Sequence, residues 1–153
     1  MHPPMQPGWI DAAHGCLHLP HLVLESGEVI EDFELSYAIH GDVHDRSAPV
    51  VVALCAIGSS HHRLDFLIGE NRALDPRYAK VIAIDAIGNG LSSSPSTSRS
   101  QPRLDFPRFT IRDMVHSQPL LMDDPGIGTV ELVVRAPLGG MQAPQRAVSY
   151  PDR

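Results

Sequence analysis

Residues 130–152 read VELVVRAPLGGMQAPQRAVSYPD, and the reading of the fold turns on them. Glu131, Leu132, Val133 and Val134 make a short, β-branched run of the kind that forms a buried strand. Gly139 and Gly140 follow at once, and Met141 to Tyr150 reads as the opening of a helix. A strand that turns sharply into a helix through small residues has the geometry of a nucleophile elbow. In its usual Gly-x-Ser-x-Gly form, that turn holds a serine exposed above the sheet edge. Here the five positions are Arg135, Ala136, Pro137, Leu138 and Gly139. Pro137 has no hydroxyl to offer, and the first glycine is replaced by Arg135. The elbow is recognisable, but its nucleophile is missing.

Composition narrows the class. At 153 residues the chain suits one domain and can bury a sizeable core. A hydrophobic content of 42% with 20% charged residues is ordinary for a globular protein. The net charge of −6 leaves no basic stripe to neutralise phosphates, which argues against nucleic acid as a partner. Lys80 is the only lysine. Cys16 and Cys55 have neither metal nor redox spacing, so a reduced setting is expected. No stretch approaches the ~18 apolar residues of a membrane helix, and the N-terminus lacks the basic and apolar regions of a signal peptide. The expected location is the cytoplasm, with no membrane contact.

Outward from the elbow, the organisation follows from period. Residues 1–15 show no periodicity and are expected to be a poorly ordered arm, with Trp9 and Ile10 as candidates to pin it; residues 16–153 are the core. Leu17, Leu19, Leu22 and Leu24, the Ser26-Gly27 turn, and the alternation from Phe33 to Ile39 read as an antiparallel hairpin at a sheet edge. Pro49 to Cys55 and Val81 to Asp85 are continuous apolar runs, which suit strands covered on both faces. A short helical turn is expected near Leu64 to Ile68, and a Gly/Ser/Pro-rich loop over Gly88 to Ser100. Thr110 and Asp113 read as a capping box that opens a helix. Pro119 lies inside that helix, where a proline removes a hydrogen bond and is expected to kink it. Asp123 to Gly126 ends it, and Thr129 to Val134 is the last strand. Buried strands alternating with helices imply an α/β fold with a mainly parallel sheet and an antiparallel N-terminal hairpin.

With these elements placed, the chain resembles the homoserine O-acetyltransferase-like branch of the α/β-hydrolase superfamily over roughly Leu22 to Arg153. The stretches that carry the resemblance are residues 35–41 (LSYAIHG), 74–78 (LDPRY), 88–96 (GNGLSSSPS), 106–115 (FPRFTIRDMV), 139–142 (GGMQ) and 149–153 (SYPDR). It implies the N-terminal part of an α/β-hydrolase fold, ending after the nucleophile elbow. The chemistry implied is ping-pong acyl transfer or ester hydrolysis through a serine acyl-enzyme. An oxyanion hole would be built from the Leu138 N–H and an N–H near Ala56 or Ile57, after the Val50–Cys55 strand.

The departures fall at the centre of the motif. Pro137 stands at the serine position. Arg135 and Ala136 occupy positions that are normally small, Pro144 falls in the first turns of the following helix, and Arg146 sits where the family usually has tryptophan. The family continues for a further half-length, which holds the acid and the histidine. Nucleophile, acid and base are all unfilled in this sequence.

Other candidates have plainer readings. His61 and His62 are adjacent, so they are expected to point apart. His14, His18 and His21 fall on a loop and strand edge with no carboxylate or cysteine to complete a site, so no metal and no cofactor is expected. Ser92, Ser93 and Ser94 read as turn serines. Gly88-Asn89-Gly90 is not a dinucleotide fingerprint. Cys55 reads as a small core residue, and Asp85 sits at a strand's C-terminal end, where site residues gather. The leading expectation is a truncated, catalytically silent relative of the acyltransferases, a pseudoenzyme. The alternatives are a non-catalytic binding or partner-completed module and one half of a split acyltransferase. An acyl donor and acceptor are expected only of a complete homologue. The Thr129–Val134 strand is expected to leave an open, apolar sheet edge suited to self-association.

Overall fold

A computed structural model describes residues 3–45, 47–55, 58–123, 129–136 and 139–152. The alternating N-terminal pattern forms β1 (Ala13–Val23) and β2 (Val29–His40), paired antiparallel from Ala13↔Ile39 to Val23↔Val29. The strand thus begins inside the stretch expected to be the arm. Gly27 closes the hairpin at φ +86, with its N–H bonded to the Leu24 carbonyl at 2.9 Å. A side chain there would be strained, which is why the turn uses glycine.

The two apolar runs become β3 (Val50–Leu54) and β4 (Lys80–Ile84), buried along their whole length. They lie parallel, joined by a crossover that includes a 3₁₀-helix at His61–Leu67. The strand β5 (Val130–Arg135) runs parallel to β3 on its other side. The sheet order is β1-β2-β4-β3-β5, with β2 antiparallel to β4. It is a mixed sheet: the expected hairpin occupies one edge, the parallel pairings join β4, β3 and β5, and β5 forms the other edge.

Period-2 alternation divides the core. Val50, Val52, Leu54, Ile82 and Ile84 face one way and pack with Ile30, Phe33, Leu35 and Leu121. Val51, Ala53, Val81 and Ala83 face the other way, against Leu64, Ile68 and Leu74. The first of these faces carries α1 (Ile111–Met122). Its capping box is formed: Asp113 Oδ2 accepts the Thr110 N–H at 2.8 Å, and Thr110 Oγ1 accepts the Asp113 N–H at 3.3 Å. Asp113 Oδ1 also accepts the Glu25 N–H at 2.7 Å, which ties the start of the helix to the hairpin turn. The helix continues through Pro119 and closes with the Asp123 N–H on the Pro119 carbonyl at 2.9 Å. Pro119 therefore does not break it. The helix α2 (Gly139–Ser149) follows β5. Among the described residues, no helix is long and apolar enough to cross a membrane.

Candidate functional site

The register fixes where a site can form. Leu54 at the end of β3 lies beside Ile84 at the end of β4 and Arg135 at the end of β5, so all three parallel strands deliver their following loops to one edge. Since β4 and β5 flank β3 on opposite sides, the chain reverses direction across the sheet after β4. In open α/β sheets, ligands bind at the C-terminal strand ends where such a reversal occurs.

The elbow lies on this edge. The Ala136 N–H donates to the Leu54 carbonyl at 3.1 Å, and the Gly140 N–H donates to the Ala136 carbonyl at 2.9 Å. Gly140 lies in the first turn of α2, so the second of these bonds ties the residue after β5 to the start of that helix. Arg135 folds over that turn: a Cβ added at Gly140 would come within 2.7 Å of Arg135 Nη1. Pro137, at the nucleophile position, and Leu138, Ala56 and Ile57, the oxyanion-hole candidates, lie outside the described residues. Gly139 begins α2.

Behind the elbow, Arg146 is buried at 3% exposure, and its Nη1 donates to Gln118 Oε1 at 3.2 Å. Gln118 Nε2 in turn donates to Gln142 Oε1 at 2.8 Å. A polar chain thus joins α1 to α2 at the position where the resemblance implies a tryptophan. Nothing in the local sequence marks Gln118 or Gln142 as its partners, because the contact exists only once the two helices pack.

Asp85, just past β4, is the hub of the edge and is wholly buried. Its Oδ1 accepts the His61 N–H at 2.8 Å and Asn89 Nδ2 at 2.9 Å. Its Oδ2 accepts Ser36 Oγ at 2.8 Å and lies 2.8 Å from His61 Nδ1. Burial works to raise this carboxyl, but the His61 ring, Ser36 and the His61 N–H outweigh it and hold the group below the ordinary carboxylate range. An ionised carboxylate only accepts, so His61 carries its proton on Nδ1.

The expectation that His61 and His62 point apart is overturned. Both are buried, and their ring centroids are 4.2 Å apart. They sit at the start of the 3₁₀-helix, and each ring meets its own buried carboxylate: His61 meets Asp85, and His62 Nδ1 lies 2.7 Å from Asp65 Oδ2. The arm completes the cluster. Trp9 stacks on His62 at 4.1 Å, and the Ile10 N–H donates to Asp65 Oδ2 at 2.8 Å. His40 is buried nearby; burial lowers its pKa, and attraction to Asp65 works against that.

The serine run has a backbone role. Ser92 Oγ accepts the Ser36 N–H at 3.0 Å and donates to the Asp85 carbonyl at 2.8 Å. Ser93 Oγ accepts the Glu34 N–H at 2.8 Å. These hydroxyls serve β2 beyond the point where its pairing with β4 ends at Tyr37↔Ile84. Gly88 takes φ +87, and a Cβ there would meet Phe109 Cζ at 2.7 Å, so the loop needs glycine. Cys55 is buried, and burial pushes its thiol up to about 11, which removes it as a nucleophile near neutral pH.

A cleft of about 760 Å³ opens on this edge, lined in part by Trp9, Ser60, His62, Arg63, Asn89 and Leu91. It combines an aromatic wall from the arm with polar groups from the loops after β3 and β4. Two groups of potential metal ligands also occur among the described residues: His14, His61 and Asp85, and the exposed Cys16, His18 and Glu34.

No family model matches the chain. The chain is 33% identical over 148 residues to a homoserine O-acetyltransferase of Nautilia profundicola, covering 85% of this chain and 40% of that one. It is 33% identical over 150 residues to a homoserine O-succinyltransferase of Stutzerimonas stutzeri, covering 86% and 39%. Among solved structures, the acetyl esterase MekB matches with a TM-score of 0.83 and 32% identity, over 92% of this chain and 41% of that one. The chain thus spans about 40% of the length of these relatives.

Proposed function

We propose, from the homology of most of this chain to the homoserine O-acetyltransferase-like branch of the α/β-hydrolases, that it supplies the N-terminal frame of an acyl-transfer fold and is catalytically silent by itself. The observation that carries this reading is Pro137, which stands between β5 and α2 at the position that must present a serine hydroxyl. Acyl transfer through a serine begins with attack by that hydroxyl, and proline has none to offer. Two features support an inherited pocket: strand ends gathered at one edge, and a polar cleft that opens there. The setting we propose is cytoplasmic, in keeping with two free cysteines.

Purified chain incubated with p-nitrophenyl acetate, and separately with homoserine plus acetyl-CoA or succinyl-CoA, tests this. The expected result is no turnover above a heat-treated control. Saturable turnover with either system overturns the silent reading.

A second reading rests on β5. It is an edge strand with Leu132 half exposed, and a groove of about 350 Å³ lies between it and α2, lined in part by Val130, Leu132, Ala143 and Tyr150. We propose that this edge pairs with a second copy of the chain.

A further inference from the structure

We propose that His14, His61 and Asp85 form a binding site for a divalent transition-metal ion of the zinc type, with one coordination position open to the cavity beneath the arm. The three residues come from β1, the 3₁₀-helix and the loop after β4, so the fold, not local spacing, brings them together. One ligand atom from each lies within 4.8 Å of the others.

The distances suit a small cation. Tetrahedral zinc with bonds of ~2.0–2.2 Å to nitrogen and oxygen places neighbouring donors ~3.4 Å apart. Asp85 Oδ2 lies 2.8 Å from His61 Nδ1 and 4.0 Å from His14 Nε2, which bracket that value. Side-chain shifts of a few tenths of an ångström equalise them. The ion takes the place of the protons that His61 Nδ1 gives to Asp85 and His14 Nε2 gives to Ser36 Oγ 3.1 Å away, and each ring keeps one proton on its other nitrogen. The Asp85 carboxylate is already oriented by outer bonds from Ser36 Oγ, the His61 N–H and Asn89 Nδ2. Such outer-shell hydrogen bonds hold a metal-ligating carboxylate in place. Two imidazoles with one carboxylate select zinc and its neighbours over magnesium or calcium, which favour all-oxygen shells.

There is room for a fourth ligand. A cavity of about 160 Å³ is lined by Ile10, Asp11, His14, His61 and His62, among others. A water needs only ~10–15 Å³ of such space. Asp11 lines the same cavity and adds negative charge beside the ion. Once bound, the ion would cross-link the edge hairpin, the 3₁₀-helix and the end of β4.

The test titrates the metal-free full chain with zinc chloride against a chromophoric chelator, on wild type and three variants. Wild type is expected to bind one equivalent. His14→Ala, which removes a half-exposed ligand, and Asp85→Asn should each weaken binding by at least ~10-fold, the scale on which even outer-shell losses act. The Cys16→Ser/His18→Ala double variant removes the exposed alternative group and should bind as wild type does. X-ray absorption of the zinc-loaded chain should show imidazole and oxygen donors without sulfur. The proposal is overturned if zinc does not bind, if His14→Ala retains wild-type affinity with an unchanged circular dichroism spectrum, if affinity falls with Cys16 and His18 instead, or if sulfur enters the shell.

Discussion

His61 meets Asp85 with both its backbone and its ring: the N–H donates to Oδ1 at 2.8 Å, and Nδ1 lies 2.8 Å from Oδ2. Both side chains are almost wholly buried, so neither can exchange this partner for water. Removing one member of a buried pair leaves an uncompensated polar group and costs about 3–5 kcal/mol. Asp85→Ala, measured by urea unfolding in the presence of chelator, is therefore expected to lose that much stability. Asp85→Asn keeps an acceptor for the His61 N–H and should lose less. Equal losses for the two variants would show that the carboxylate charge contributes nothing.

The polar link between the helices gives a second prediction. Arg146 Nη1 donates to Gln118 Oε1 within a buried contact, so the two side chains should be energetically coupled. Contacting residues in one network show coupling of about 0.5–3 kcal/mol. A double-mutant cycle of Gln118→Leu and Arg146→Leu, followed by denaturant melts, should find the double variant less destabilised than the sum of the singles. Strict additivity would place the stabilising contacts of Arg146 elsewhere.

The third prediction is a pH dependence. Burial pushes the Cys55 thiol up to about 11, above its ordinary value. The folded state therefore holds the thiol proton more tightly than the unfolded state. Its contribution is complete below the unfolded pKa and is lost as pH rises from ~9 through 11, amounting to about 2–3 kcal/mol at the end of that window. The difference in stability between wild type and Cys55→Ala should shrink by that amount across the window. A difference that stays constant with pH would mean that the thiol is solvated in the folded chain.

Restoring the nucleophile should not restore chemistry. Pro137→Ser, alone or with Arg135→Gly, supplies a hydroxyl, but the rings of His61 and His62 already face Asp85 and Asp65 through Nδ1, and a serine without a paired base is a weak nucleophile. No ester hydrolysis above background is expected from either variant. Turnover that titrates with a serine-directed phosphonate would show that a base is recruited from within this chain.

The sheet was readable from sequence because its signals are local. Alternation from Phe33 to Ile39 gives a half-buried strand, the uninterrupted runs at β3 and β4 give strands covered twice, and Thr110 with Asp113 caps α1. The buried cluster was not readable, because His61 finds Asp85 at a separation of 24 residues and His14 finds Ser36 at 22, across strands whose register no local pattern states. Adjacency misled at His61 and His62. An extended chain sends neighbouring side chains to opposite faces, but the 3₁₀ turn brings both rings to the buried side, where Asp85 and Asp65 await them. The proline in α1 was read correctly as lying in a helix. Pro119 falls in the last turns, and the helix closes over it.

The edge of β5 carries the last prediction. Its backbone groups on the side away from β3 face no further strand among the described residues, and Glu131, Leu132 and Arg135 are exposed. An exposed edge of this kind is a template for another strand. Antiparallel pairing with a second copy about a two-fold axis at Val133 places Glu131 of each copy opposite Arg135 of the other, because positions 131 and 135 are equidistant from 133. Leu132 then faces Val134 of the other copy. This register sets two opposite-charge pairs and two apolar pairs across the interface, and cross-strand pairs contribute about 0.2–1 kcal/mol each. Sedimentation velocity over a concentration series is expected to show a monomer–dimer equilibrium. Glu131→Arg sets like charges opposite one another and should weaken association by about 2- to 30-fold, the two pairs being lost together. Glu131→Arg combined with Arg135→Glu restores the pairs in both copies and should recover the dimer. A wild-type chain that stays monomeric at high concentration, or a charge swap that fails to recover association, would rule out this register.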